Sequence, residues 1–330
     1  MKNVAIIGAG LSGLVLGKRL REHAQVTLFE KSRGVSGRLA TRTIGDYEFD
    51  HGAQFLTSRS EAFKKFLTPY IDSGDVTEWQ PHVITLAAGE KSYTRQWFEP
   101  HFVGSPAMTS LCKKLAVEQD IEFKVRITEL TQGKNGWSLQ TEDSKIETEF
   151  DWVISTAPAP QTRELLGDLI PEEFLSGEGG LDSVQMSPCF ALMLGFESLP
   201  KLHFDAARVK HSPIKWIMLN SSKAGRGAAS TLVIQTSNEW AQENLERPQE
   251  EVTAILLAEL EQLLPISLPD HDVISLQRWR YSRVEQSMKQ DYLLDTETRL
   301  AACGDWAVEG RVEGAFTSAE RLANALEPLL

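Results

Sequence analysis

Six residues near the start of the chain, Gly8-Ala9-Gly10-Leu11-Ser12-Gly13, limit its fold more than any others. They join a short β-branched apolar run, Val4 to Ile7, to a segment whose Leu14, Leu16 and Leu20 predict a helix, and Gln25 to Phe29 then returns as a strand. Strand, glycine turn, helix and strand in that order form one βαβ unit, and the G-x-G-x-x-G spacing gives each glycine a task. Gly8 makes the tight turn, Gly10 lets backbone approach a pyrophosphate, and Gly13 lets the helix pack against the strand. Leu11 and Ser12 open the helix, whose positive end directs N–H groups at phosphate oxygens. Glu30, 20 residues after Gly10, ends the second strand, with Lys31 beside it as a further binding candidate. A carboxylate there accepts the hydroxyls of an adenosine ribose and repels a 2′-phosphate. The unit therefore predicts a dinucleotide site that disfavours NADP and leaves NAD and FAD open.

Residues 31–46 follow, rich in Gly, Arg, Ser and Thr and too long for an idle turn. Beyond them, spacing predicts a helix over 61–70 and a hairpin of strands 82–87 and 91–98 around Gly89. A helix over 106–118 would take Pro106 in its first turn, with Met108, Leu111 and Leu115 on its apolar face. Segments 121–130, 136–141 and 145–150 read as a β-meander, and 152–156 as a strand buried on both faces and stopped by Pro158 and Pro160. The middle of the chain reads differently: strands at 189–196, 215–219, 231–235 and 273–281 form an antiparallel sheet. Between the last two lies a helix, 249–264, with Val252, Leu256, Leu260 and Leu263 as its apolar stripe and Pro265 ending it. From Leu300 the pattern of strand, glycine turn and helix returns, over 300–303 and 314–326. The two ends thus resemble each other more than either resembles the middle. We expect an α/β protein with a Rossmann-type domain, a parallel sheet with a β-meander, assembled from 1–77, 105–165 and 296–330. An α+β substrate domain with an antiparallel sheet, 78–104 and 166–295, is inserted through it.

Of the 330 residues, 42% are hydrophobic and 24% charged, enough apolar surface for a packed core. A formal net charge of −12 sets the surface against nucleic acid and anionic bilayers. No apolar run approaches the roughly 18 residues of a membrane span, and the chain enters a strand at Val4 without a basic leader, so a cytoplasmic protein is expected. Cys112, Cys189 and Cys303 are far apart and odd in number, which offers neither a disulfide framework nor a CxxC pair. None of the seven histidines has metal-ligand spacing, so no metal is expected.

Five segments in order decide between NAD and FAD by resemblance. They are Gly8 to Gly13 with Glu30; Ser36-Gly37-Arg38-Leu39-Ala40-Thr41-Arg42; Phe49-Asp50-His51-Gly52-Ala53-Gln54-Phe55; Ala157-Pro158-Ala159-Pro160-Gln161; and Gly304-Asp305-Trp306 followed by Arg311-Val312-Glu313-Gly314-Ala315. With these the chain resembles the flavin-containing amine oxidase superfamily, and within it the short renalase-like proteins. The resemblance implies non-covalent FAD, since the family's linkage cysteine occurs in a local motif that this chain lacks. It implies Gly37 and Arg38 near the pyrophosphate, where a guanidinium suits phosphate oxygens, although Ser36 stands where the family usually has the first of two glycines. It implies Gln54 and Phe55 against the flavin ring, Val125 and Ile127 at the adenine, and Thr156 at the end of its strand. Gly304 and Asp305 would lie near the ribityl chain, and Val312, Gly314 and Ala315 would open a helix aimed at the pyrimidine side of the ring. His51 reads as a residue that fixes a turn rather than as a base.

Substrate candidates are Trp97, Arg278 and Trp279, because aromatic rings can sandwich a planar group and arginines can hold phosphates, together with Trp216 and Asn220, whose segment resembles the renalase-like pattern. The resemblance implies an FAD-dependent oxidase that takes hydride from its substrate to flavin N5 and returns the electrons to molecular oxygen. The substrates it suggests are small molecules, the 2- or 6-dihydro isomers of NAD. A flavin amine oxidase and a non-catalytic FAD-binding protein share the same cofactor motifs and stay as alternatives.

Overall fold

The computed structural model describes residues 1–176, 179–264 and 266–330. Its six-stranded sheet runs in the order Asp120–Phe123, Gln25–Glu30, Asn3–Ile7, Trp152–Ser155, Leu300–Ala302 and Leu293–Asp295. All neighbours are parallel except the last pair, so strands from both ends of the chain share one sheet. Val4, Ala5 and Ile6 are fully buried, as a strand covered on both faces requires. The sheet takes up the chain again at Leu293, ahead of the expected 296.

The first helix, Leu11–Leu20, and the last, Val312–Leu326, lie side by side over one face of this sheet. Ser12 Oγ donates to the Ala315 carbonyl at 2.9 Å and ties their opening turns together. Gly13 has no room for a side chain: a Cβ would stand 2.0 Å from the Gly8 carbonyl oxygen.

A seven-stranded sheet forms the second layer, in the order Val273–Gln286, Gln185–Phe196, Ser230–Thr236, Ile214–Leu219, Ala206–Val209, Val83–Leu86 and Tyr93–Thr94. It is antiparallel apart from the pair Ala206–Val209 and Val83–Leu86. Alternation divides its residues between two faces. Ile217, Leu192 and Ile234 pack against Val252, Leu256, Leu260 and Leu263 of the helix Gln249–Leu263. Each such buried side chain contributes roughly 1.5–3 kcal/mol before entropy is counted. Trp216, Met218, Gln277 and Trp279 fall on the opposite face, toward the cleft between the two sheets. The expected stop at Pro265 lies outside the described residues.

Four local expectations are corrected. The strand foreseen over 121–130 is two strands, because Lys124 takes a positive φ of 60°. Asp120–Phe123 joins the parallel sheet beside Gln25–Glu30, and Ile127–Gln132 forms an antiparallel hairpin with Trp137–Thr141. Segment 145–150 makes only isolated bridges, Lys145 to Gln140 and Phe150 to Trp137, so the third meander strand does not form. The helix foreseen from Pro106 begins at Ser110, since the Ala107 N–H goes to Ser110 Oγ and the Met108 N–H to Asp50 Oδ1. Only Tyr93–Thr94 pairs within 91–98, a stretch that is mostly exposed. Among the described residues no helix is long and apolar enough to cross a membrane.

Candidate active site

A cleft of about 1430 Å³ opens between the sheets, larger than the roughly 300–1000 Å³ of ordinary small-ligand sites. At one end lies the glycine turn. Gly8 adopts φ 106°, and a Cβ there would meet Thr156 Oγ1 at 2.8 Å. Thr156 in turn donates to the Ile7 and Gly8 carbonyls, so the predicted Thr156 braces the turn from the neighbouring strand. The loop after Glu30 crosses this turn closely: Ser36 N–H donates to the Ala9 carbonyl, and a Cβ on Gly37 would lie 3.4 Å from Gly10 Cα. Ser36 itself takes φ 105°, a strained backbone for a residue with a side chain. Leu11–Leu20 begins at Gly10 with no side-chain cap, and Val312–Leu326 begins at Arg311 equally uncapped. Two helix N-termini, uncapped by any side chain among the described residues, thus present N–H groups to the same cleft.

Glu30 is buried, and its carboxylate accepts from the Ala9 N–H at 2.9 Å and the Ser32 N–H at 2.8 Å. Each oxygen keeps a lone pair for a further donor. The Val125 N–H donates to the Glu30 carbonyl, which brings Val125 and Ile127 to the same end of the cleft. Arg38 and Asp305 meet as a two-bond ion pair, one bond at 2.9 Å and the other at 2.5 Å. Glu313, at the start of the last helix, accepts the N–H groups of Arg59 and Ser60 at 2.8 Å each. Burial would raise its carboxyl, but those hydrogen bonds hold it below the usual range.

At the middle of the cleft, segment 50–55 runs under the seven-stranded sheet. Trp279 stacks on His51 with ring centroids 5.3 Å apart and 16° between planes, and its indole N–H donates to the His51 carbonyl at 2.9 Å. Burial first, then the Arg42 charge, lower the His51 imidazole to about 4, so it is neutral at pH 7. Its buried Nδ1 has no hydrogen-bond partner among the described residues. Gln54 turns its amide inward: Nε2 donates to the Asp50 and Gly52 carbonyls, and Oε1 accepts from Lys223 Nζ at 3.0 Å.

Of the sequence candidates, Gly8, Gly10, Leu11, Ser12, Glu30, Lys31, Gly37, Arg38, Gln54, Phe55, Val125, Ile127, Thr156, Gly304, Asp305, Val312 and Ala315 line this one cleft, with Trp216, Arg278 and Trp279. Gly13 and Gly314 stand behind its wall as packing positions, where a Cβ would strike the Gly8 and Glu309 carbonyls. Trp97 is set behind Phe55, centroids 4.9 Å apart, and against His101. Asn220 is fully buried, bonded to the Glu48 carbonyl and to Lys223, and does not reach the cleft. The arginines of Val273–Gln286 are less free than expected. Arg280 pairs with Glu246 through both nitrogens, and Arg278 donates to the Arg247 carbonyl.

Sequence reasoning missed the charges under segment 50–55. Asp50, Lys223 and Arg226 form a buried cluster, with Asp50 Oδ2 3.1 Å from Lys223 Nζ and 2.5 Å from Arg226 Nη2. Burial would raise the Asp50 carboxyl, but the two cations outweigh it and hold it at about 2. The available signal was an aspartate directly after the apolar Phe49, a carboxylate that needs a partner.

The NAD(P)-binding Rossmann-like domain family matches residues 6–69, and the family described as flavin containing amine oxidoreductase matches residues 84–326, well over half of the chain. The chain belongs to the flavin containing amine oxidoreductase family. This amine oxidoreductase is similar to mouse renalase, 25% identical over 347 aligned positions that cover 99% of both chains. Its fold is shared with a provisional protoporphyrinogen oxidase of Exiguobacterium sp. 255-15, TM-score 0.77 at 12% identity, covering 100% and 99% of the two chains. It is likewise shared with a putrescine oxidase holding putrescine, TM-score 0.72 at 15% identity, covering 98% of each. The enzyme is thus a renalase-like oxidoreductase of an FAD-dependent family. Its residues fit such a cofactor: the glycine cradle that a Cβ would fill and the two uncapped helix N-termini suit a pyrophosphate.

Proposed function

We propose that the cleft binds FAD without covalent attachment, and that the protein oxidises a small molecule and hands the electrons to molecular oxygen. The 2- and 6-dihydro isomers of NAD are the substrates we favour. The observation that carries the reading is that both uncapped helix N-termini, the glycine cradle and Glu30 meet on a single cleft that Trp216, Trp279 and Tyr281 also line. Glu30 would hold the adenosine ribose, the N–H groups of Leu11 and Ser12 the pyrophosphate, and Val312 to Ala315 the pyrimidine end of the ring. Arg38 would reach the phosphates from its seat on Asp305.

Bound FAD supplies a hydride acceptor at its N5 atom. The chain's own residues orient and enclose. Gly52 and Ala53 keep the backbone thin where a ring must lie close, and the His51–Trp279 stack makes a stiff wall. His51 is neutral at physiological pH and, with its imidazole lowered to about 4, only a weak base; this suits a dihydronicotinamide, because gaining aromaticity drives hydride loss without removal of a further proton. Cys303 is fully buried with its thiol pushed up, so it is no nucleophile toward the cofactor. Three buried free cysteines agree with action in the cytoplasm.

Anaerobic mixing of purified holoprotein with candidate donors tests the reading. Bleaching of the flavin by 6-dihydro-NAD, with none by primary and secondary amines, is expected. Bleaching by amines alone would make the protein an amine oxidase, and no bleaching by any donor would make it a non-catalytic flavin binder.

A further inference from the structure

The cluster beneath segment 50–55 carries more positive charge than its structure needs. Lys223 and Arg226 share one carboxylate, Asp50, and the three side chains are 0–2% exposed. Asp50 also accepts from Thr41 Oγ1 and the Met108 N–H, so its capacity is filled. Around Lys223 the remaining neighbours are neutral: Asn220 Oδ1 at 3.0 Å, Gln54 Oε1 at 3.0 Å, and the Trp79 ring with its centroid 5.6 Å away. His51, on the same strand end as Asp50, is neutral above about pH 4. The cluster therefore holds one formal positive charge in excess, taken out of water at a cost that pairing does not offset. Arg226 alone would neutralise Asp50, and it already ties that carboxylate to the Gly104 and Ala224 carbonyls. Lys223 adds something else. Its ammonium donates to Gln54, which lines the cleft, and fixes which way that amide points.

We propose that Lys223 is a positioning residue whose buried charge, passed to the cleft wall through Gln54, favours the negative charge that the cofactor gains on reduction. This rests on the reading that segment 50–55 lies against the flavin ring. A fixed cation in a water-poor surrounding acts on nearby charge more strongly than one in solvent. Burial lowers the Lys223 ammonium to about 8 against the opposing pull of Asp50, so it is charged at pH 7 and titrates just above it.

The test is the midpoint potential of the holoprotein and of K223M, with FAD per chain measured alongside. The variant should keep its FAD and shift to a more negative potential, with about a tenfold smaller equilibrium constant for reduction, which is about 30 mV for a two-electron couple. In the unsubstituted holoprotein, the potential should fall more steeply with pH above about 8, as the lysine gives up its proton, and this needs no variant to fold. A K223M protein with full FAD, lower thermal stability and an unchanged potential would overturn the proposal and leave Lys223 as a structural counter-ion. An unchanged pH slope through that region would overturn it equally. A chain that carries no FAD in any form would overturn the cofactor reading and this proposal together, a result distinct from an unchanged potential on bound flavin.

Discussion

Glu30 and Asp50 are both buried carboxylates at strand ends, one on the parallel sheet and one beneath the antiparallel sheet, and they are held in opposite ways. Glu30 is met by N–H groups of Ala9 and Ser32, backbone of its own nucleotide unit. Asp50 is met by side-chain cations 173 and 176 residues away. A carboxylate held by backbone keeps its surroundings when it is removed, because those N–H groups can turn to water or ligand. One held by buried cations does not, since its loss leaves the cations stranded. On the proposed reading the first region can exchange partners with a ligand, while the second stays fixed.

Substitution should separate the two regions. Asp50→Ala leaves Lys223 and Arg226 without a counter-charge, and a loss of about 3–5 kcal/mol in unfolding free energy is expected from denaturant titration. A loss below about 1 kcal/mol would mean the cluster is wetter than its burial indicates. Gly13→Ala forces a Cβ to within 2.0 Å of the Gly8 carbonyl, so the helix must shift. It should cost about 1–3 kcal/mol and strip the protein of FAD, read as loss of flavin absorbance through gel filtration. Glu30→Ala should leave the melting temperature of flavin-free protein within a few degrees while weakening FAD binding by about tenfold or more, the worth of a hydrogen bond to a charged group. Equal FAD affinity in titration calorimetry would remove Glu30 from the ribose.

Acid and alkali sharpen the same contrast. The Asp50 carboxyl lies at about 2 against 3.8 for an ordinary aspartate, so its stabilising contribution is whole above about 3.8 and fades as pH falls toward 2. Lys223 works in the other sense. Its ammonium is lowered from 10.5 to about 8, so its burial costs stability below pH 8, and the cost disappears as pH rises toward 10.5. Unfolding midpoints measured against pH should show both slopes, and K223M should lose the alkaline one. The smallest effect is expected at the exposed pair of Arg280 and Glu246, where Arg280→Ala should change stability by no more than about 1 kcal/mol and leave FAD binding untouched.

How far the sequence could be read follows the same division. The nucleotide end was legible because its parts lie within thirty residues of each other and each glycine answers to a local steric need. The return of the chain at Leu300 was legible from the repeat of strand, turn and helix. The clamp on Asp50 was not, because Lys223 and Arg226 sit in Ser221-Ser222-Lys223-Ala224-Gly225-Arg226, which reads as a solvated polar turn until tertiary pairing buries it. Asn220, expected to face substrate, was drawn into that clamp. Trp97 lies in a stretch whose pairing stops at Thr94, so alternation could not tell which way its ring would turn. Arg278 looked available for phosphate because its partner, the Arg247 carbonyl, lies in the turn between the helices Asn238–Glu243 and Gln249–Leu263 and reaches it through tertiary packing rather than local spacing.

The central claim is that one cleft, lined from both ends of the chain, holds FAD reversibly. Gentle acid denaturation of purified protein, followed by filtration and flavin analysis of the filtrate, tests it directly. The account predicts about one FAD per chain in the filtrate and none left on the protein. A filtrate without flavin, from protein supplied with FAD before purification, would contradict it.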